Sequence, residues 1–152
     1  MSQAEPTVES VRRTAEALCL PYTVEIERRM IKKFAEAVGD TNPLWTDEEA
    51  AKHSEYGGII LPPTFFCSVL MAGISLRLDS LPPLSSSVDG GSDWQFFLPV
   101  RPGDTISVSA EITEVKERQG KLGRMFFIYW RAYYRNQRGE LVAQSDNTVI
   151  YY

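Results

Sequence analysis

A carboxylate, a carboxamide and an indole stand close together at Asp40, Asn42 and Trp45, inside the run Gly-Asp-Thr-Asn-Pro-Leu-Trp. An aspartate can activate water as a general base when a second group completes the proton transfer. An indole donates one hydrogen bond and accepts no proton in the ordinary pH range, so Trp45 cannot be that second group. The same residues are also good turn chemistry, since Asp and Asn side chains bond nearby backbone and a residue before proline, here Asn42, avoids helix. Both roles stay open for Asp40. The sole histidine, His53, follows Asp40 by thirteen positions near the end of a predicted helix. It reads as a surface residue favoured by the negative helix end, and not as a substitute base.

The rest of the chain narrows the chemistry. Lys and Arg number 16 against 20 Asp and Glu, a net charge of −4, and the basic residues are scattered, which argues against a nucleic-acid partner. Two short clusters, Arg28, Arg29, Lys32 and Lys33, then Lys116, Arg118, Lys121 and Arg124, read as a solvated helix face and a hairpin turn. Cys19 and Cys67 are the only cysteines; Cys67 sits in an apolar run as a small buried thiol, and no disulfide framework is predicted. No metal cluster, phosphate loop or dinucleotide fingerprint is visible. No run approaches the ~18 apolar residues of a membrane span, and no signal peptide is evident, so the cytoplasm is the expected compartment.

Elements must position the Asp40 loop. With 152 residues, 43% of them hydrophobic, one domain is expected. Val8, Val11, Ala15 and Leu18 recur at helical spacing, predicting a helical extension within residues 1–20 ahead of a domain at 21–152. A short strand over 22–26 and a helix carrying Met30, Ile31, Phe34, Ala37 and Val38 follow, closed by Gly39. Thr46 with Glu49 predicts a capping box and a short helix ended by Tyr56-Gly57-Gly58. Residues 64–78 are apolar almost all round and predict a helix buried on every side, with 81–93 a Pro, Ser and Gly loop behind it. Strands are expected over 94–98, 105–112, 124–134 and 141–152, as a four-stranded meander joined by the early strand. Tyr129, Trp130, Tyr133 and Tyr134 are then sheet-face packing. A sheet wrapped around one buried helix is the hotdog form of an α+β fold.

Residues 39–66, GDTNPLWTDEEAAKHSEYGGIILPPTFF, resemble the signature of the MaoC-like hydratases and dehydratases, and 97–104, FLPVRPGD, resemble the turn leading into that family's long strands. The resemblance extends over residues 22–152 and is nearest to the FAS1-like dehydratase branch, the N-terminal MaoC type. It implies hydration of 2-enoyl thioesters or dehydration of 3-hydroxyacyl thioesters on CoA or acyl-carrier protein. In the catalytic members an aspartate and a histidine hold the water, and a backbone amide at the start of the buried helix stabilises the enolate oxygen. Asp40 stands at the aspartate position, Asn42 at its companion and Trp45 at the histidine. Pro63 falls near the amide donor and has no N–H to give, with the amide of Thr64 the alternative if the alignment shifts by one. Substrate-facing positions implied are Trp45, Tyr56, Gly58, Pro63, Thr64 and Phe65.

The resemblance therefore implies the histidine-lacking half of an (R)-specific dehydratase or hydratase, which binds the acyl chain beside a histidine-bearing subunit. A homodimeric dehydratase or thioesterase using Asp40 is a second reading, and a non-enzymatic acyl-thioester binding protein a third. A dimer with itself or with that subunit is expected, because a lone sheet leaves an exposed edge. No cofactor is implied beyond the CoA or carrier-protein thioester itself.

Overall fold

The alternation of Ile106, Val108, Ala110 and Ile112 carries into a strand of 16 residues, far longer than the strictly alternating stretch. The structure is a computed structural model describing residues 5–70, 86–121 and 123–152. In chain order it has α1 (Val8–Leu18), β1 (Tyr22–Glu25), α2 (Arg28–Val38), α3 (Pro43–Thr46), α4 (Glu48–Lys52) and α5 (Pro63–Phe65), the last continuing as a π-helical turn over Phe66–Leu70. Then come β2 (Ser87–Phe96), β3 (Thr105–Gly120), β4 (Gly123–Arg135) and β5 (Leu141–Tyr151). All pairings are antiparallel and the order is β1-β3-β4-β5-β2. This is the hotdog arrangement, with one change from the expected meander: β2 crosses the helix side to pair with β5 and not with β3.

One sheet face is buried. Trp130, Ala132 and Tyr134 of β4 lie opposite Asn147, Ser145 and Ala143 of β5, and with Ile106 and Val108 they receive Phe65, Phe66 and Leu70 from the helical segment. Phe66 is the hub, its ring edge-on to Tyr134 at 5.3 Å, Phe96 at 5.5 Å and Trp94 at 6.3 Å. Such offset aromatic contacts add about 0.5–1.5 kcal/mol each to their area burial. Phe65 points to the other layer, edge-on to Phe34 of α2 at 5.1 Å. At the far end of the same face, α1 lays Val11 and Ala15 on Ile112, Val115, Phe126 and Ile128. Thr7 caps α1 reciprocally with Ser10, which fixes where that helix begins.

Three expectations change. The loop forecast over 81–93 is strand from Ser87 onward, because a bulge between Asp89 and Gly91 keeps β2 in register with β5. Gly90 is required there, since a Cβ would lie 2.8 Å from Thr148 Cγ2. Residues 81–85 are outside the described residues. The Thr46 and Glu49 capping box does not form: Asp47, one residue on, accepts from the amides of Glu49 at 3.0 Å and Ala50 at 3.1 Å, while Thr46 closes α3 by donating to the Asn42 carbonyl at 2.8 Å. A carboxylate also complements the helix dipole, which favours it as the cap. The helix expected to be buried all round exposes Thr64, Ser68 and Val69, because the sheet covers only the face carrying Phe65, Phe66 and Leu70. Its continuation over 71–78 lies outside the described residues. Cys67 is half-buried rather than enclosed. No helix among the described residues is long and apolar enough to cross a membrane.

Candidate functional site

The loop at Asp40 is set by the end of α2. Gly39 takes the left-handed conformation at φ 69°, its amide bonds to Glu36 O and the Asp40 amide reaches back to Ala35 O at 2.9 Å. That is the Schellman pattern, and only a residue tolerant of positive φ makes it cheaply. Two successive side-chain turns follow. Asp40 Oδ1 accepts from the Asn42 amide and Asn42 Oδ1 accepts from the Leu44 amide, each at 3.0 Å. Pro43 then opens α3 at its first position, so the helix starts inside the stretch forecast as loop. Of the four side-chain oxygen and nitrogen atoms, Asp40 Oδ2 and Asn42 Nδ2 carry no hydrogen bond among the described residues.

Trp45 is half-buried against the main core cluster, and its Nε1–H is buried without an acceptor among the described residues. A donor in that state costs about 1–3 kcal/mol unless something else supplies the acceptor. His53 ends α4 in the open, its Nδ1–H donating to the Glu49 carbonyl of its own helix at 2.7 Å. The structure therefore places Asp40 and Asn42 on one loop, with Trp45 on the short helix α3 that follows, and leaves His53 engaged elsewhere. Burial pushes the Cys67 thiol up, so it stays protonated and a poor nucleophile.

Residues 56–61 tie this loop to the strands. Ile60 N–H donates to Leu44 O at 3.2 Å, Leu61 N–H to Val100 O at 2.7 Å, and the Arg101 guanidinium to Tyr56 O. A groove of about 230 Å³ opens beside them, lined by Tyr56, Ile60, Leu61, Pro63, Phe66 and residues 96–100. Its lining side chains are apolar apart from the Tyr56 hydroxyl, an arrangement suited to an apolar chain more than to a charged group. Phe97 and Leu98 stand 49% and 42% exposed along it, a long way from the burial such side chains normally reach.

Of the predicted positions, Tyr56 and Pro63 line the groove, while Gly58 lies in a neighbouring polar hollow with Arg101. Phe65 is 1% exposed and faces the core, so only its backbone is near the helix start. Pro62 and Pro63 have no N–H, and the Phe65 amide is bonded to Pro62 O at 3.0 Å. Thr64 is exposed, and its amide has no acceptor among the described residues. Nothing in the sequence marks the apolar edge at 96–98 as a groove wall, and Arg101, inside the turn Pro99-Val100-Arg101-Pro102-Gly103-Asp104, is not among the predicted positions. A cation in an otherwise structural turn was the signal there. Among the described residues no group of His, Cys, Asp and Glu is arranged to hold a metal.

Comparison with known proteins agrees with the fold. Residues 14–145 match the family described as FAS1-like, dehydratase domain region. A UPF0336 protein of Streptomyces griseus is 36% identical over 129 residues, 83% of each chain. A probable enoyl-CoA hydratase alpha subunit of Thermomonospora curvata is 32% identical over 130 residues, which are 75% of this chain and 41% of that protein. Among solved structures, the HadBC complex of Mycobacterium tuberculosis, a 3R-hydroxyacyl-ACP dehydratase, superposes with a TM-score of 0.71 at 27% identity, over 86% of this chain and 91% of that one.

Proposed function

The chain belongs to the FAS1-like dehydratase family of MaoC-like hotdog proteins, and from that premise we propose that it is the histidine-lacking subunit of an (R)-specific 3-hydroxyacyl-thioester dehydratase or 2-enoyl-thioester hydratase. Hydration adds the oxygen of water to C3 of the enoyl thioester and a proton to C2, through an enolate whose oxygen needs donors. One group must take a proton from water and one must return a proton to carbon. What supports the proposal is Trp45: by the resemblance it stands at the histidine position, an indole cannot accept a proton, and Asp40 Oδ1 is already held by the Asn42 amide. The groove beside residues 56–61, lined by apolar side chains, supports a role in holding an acyl chain. In this reading the chain holds the acyl group, and a histidine-bearing MaoC-like subunit performs the proton transfers.

The surface for such a partner is β2. It is one of the two outer strands of the sheet, its far edge unpaired among the described residues, and Val88, Phe96 and Phe97 on it and just beyond are 49%, 45% and 49% exposed. An exposed edge of that length and character is normally covered. The T. curvata relative is named as an alpha subunit and HadBC as a complex, which supports a heteromeric reading. The test is hydration of crotonyl-CoA by the purified chain, alone and with a histidine-bearing subunit. Activity appearing only in the mixture supports the proposal. The free Asp40 Oδ2 favours one other reading, a homodimeric enzyme that uses this carboxylate. That reading requires the pure chain to turn over substrate and Asp40→Asn to abolish the turnover.

A further inference from the structure

Residues 56–61 run between two concavities of opposite character. The apolar groove is on one side, with Ile60 in its wall; on the other, beside Ile59, is a hollow of about 410 Å³ whose lining includes Arg28, Glu48, Glu49, Lys52, Gly58 and Arg101. Its charges do not cancel. Arg28 and Glu48 close on each other in a two-pronged pair at 2.6 and 2.8 Å, and so neutralise one another. Arg101 donates to the carbonyl of Tyr56, a neutral partner, and neither it nor Lys52 is in an ion pair among the described residues. Glu49 is the one opposing carboxylate left in the hollow. Gly58 keeps the guanidinium uncovered: even a methyl group added there would sit 3.6 Å from Arg101 Nη1.

A guanidinium with a free edge and an ammonium in one hollow suit a phosphate, which accepts from both and carries the charge they lack. The adjoining groove suits an apolar chain. A ligand combining the two is a phosphate-bearing carrier with an acyl group at its far end. We infer that Arg101 and Lys52 form the site for a phosphate of the thioester carrier, whether that phosphate belongs to coenzyme A or to the 4′-phosphopantetheine arm of a carrier protein. The inference rests on the proposed acyl-thioester function. Lys52 lies at the end of α4, exposed, near enough to Glu48 to favour its carboxylate but in no hydrogen bond or ion pair among the described residues, so altering its charge leaves the packed core untouched. Arg101 is half-buried and braces residue 56, so its removal loosens the loop as well.

Crotonyl thioesters of pantetheine, of 4′-phosphopantetheine and of coenzyme A separate these parts, titrated calorimetrically into the full chain alone and with a histidine-bearing subunit. Lys52→Glu is expected to raise the Kd of the phosphate-bearing thioesters about tenfold, which corresponds to ~1.4 kcal/mol, and to leave that of the pantetheine thioester unchanged. Glu49→Gln is expected to act in the opposite direction, tightening the same probes. Arg101→Ala should weaken them further; if it unfolds, the other two variants still decide the matter. An effect that begins with 4′-phosphopantetheine assigns the phosphate that a carrier protein also presents, and one confined to coenzyme A assigns its nucleotide phosphates; both support the inference. Equal affinity of the unmodified chain for all three thioesters, or a shift of all three alike in Lys52→Glu, overturns it while leaving the acyl-thioester reading intact. Failure of the unmodified chain and of the mixture to bind any of them removes that reading, and the phosphate site with it.

Discussion

Asp40 shows how one side chain can serve shape and leave its chemistry unfinished. Its Oδ1 shapes the turn, and an asparagine carbonyl can accept the same amide bond from Asn42. Asp40→Asn is therefore expected to leave stability within about 0.5 kcal/mol by urea denaturation, whereas Asp40→Ala, which loses the turn bond, should cost about 1 kcal/mol. In the two-subunit enzyme, Asp40→Asn is expected to alter turnover less than about threefold; a loss of about a hundredfold or more would place the carboxylate in the reaction. Trp45→Phe removes a buried donor that has no acceptor, so the relief offsets part of the lost indole packing. A change of no more than about 1 kcal/mol in the isolated chain is expected, compared with the roughly 3–5 kcal/mol typical when a large buried aromatic is cut to alanine. Burial pushes the Tyr22 phenol up to about 12, and its hydroxyl donates to Leu70 O. The folded form thus holds that proton more tightly than the unfolded chain, so its contribution is full below pH 10 and is lost as the pH rises through about 12. Tyr22→Phe should flatten the fall in stability measured across that alkaline window.

At the scale of elements, Phe66 decides whether the helical segment and the sheet stay together. It contacts Trp94 and Phe96 of β2 and Tyr134 of β4 at 3% exposure. Phe66→Ala is expected to cost about 3–5 kcal/mol in chemical denaturation and to loosen the edge at 96–98 with it. The long strands were legible because burial of one face writes period-two alternation into β3, and the site loop was legible because Gly39, Asn42 and Pro43 each restrict the backbone in a known way. The part of β2 before Trp94 was not, since an edge strand exposed along nearly its whole length needs no alternation, and its bulge glycines look like loop residues in one dimension. The start of α4 moved by one residue because Thr46 and Asp47 are both good caps, and the choice depended on Thr46 already closing α3. The cationic hollow was invisible for a different reason. Lys52 and Arg101 are far apart in sequence, and the bonds from Leu61 to Val100 and from Arg101 to Tyr56 bring their segments together.

For the whole molecule, β2 is an outer strand whose far edge is unpaired among the described residues, and Ser68 and Val69 turn away from the core. Association through that edge is expected to be weakened by Val88→Lys with Phe97→Lys, since edge lysines block strand addition without touching the core. Sedimentation of the double variant with a histidine-bearing subunit should show separate species where the unmodified pair co-sediments. Altered folding of the variant would appear in its circular dichroism and so be told apart from lost association. The central claim is that this chain supplies a binding half and a partner supplies the proton transfers. Hydration of crotonyl-CoA, measured for the pure chain and for its mixture with a histidine-bearing MaoC-like subunit, tests it most directly. Turnover confined to the mixture is the predicted result; full turnover by the pure chain, abolished by Asp40→Asn, would contradict it.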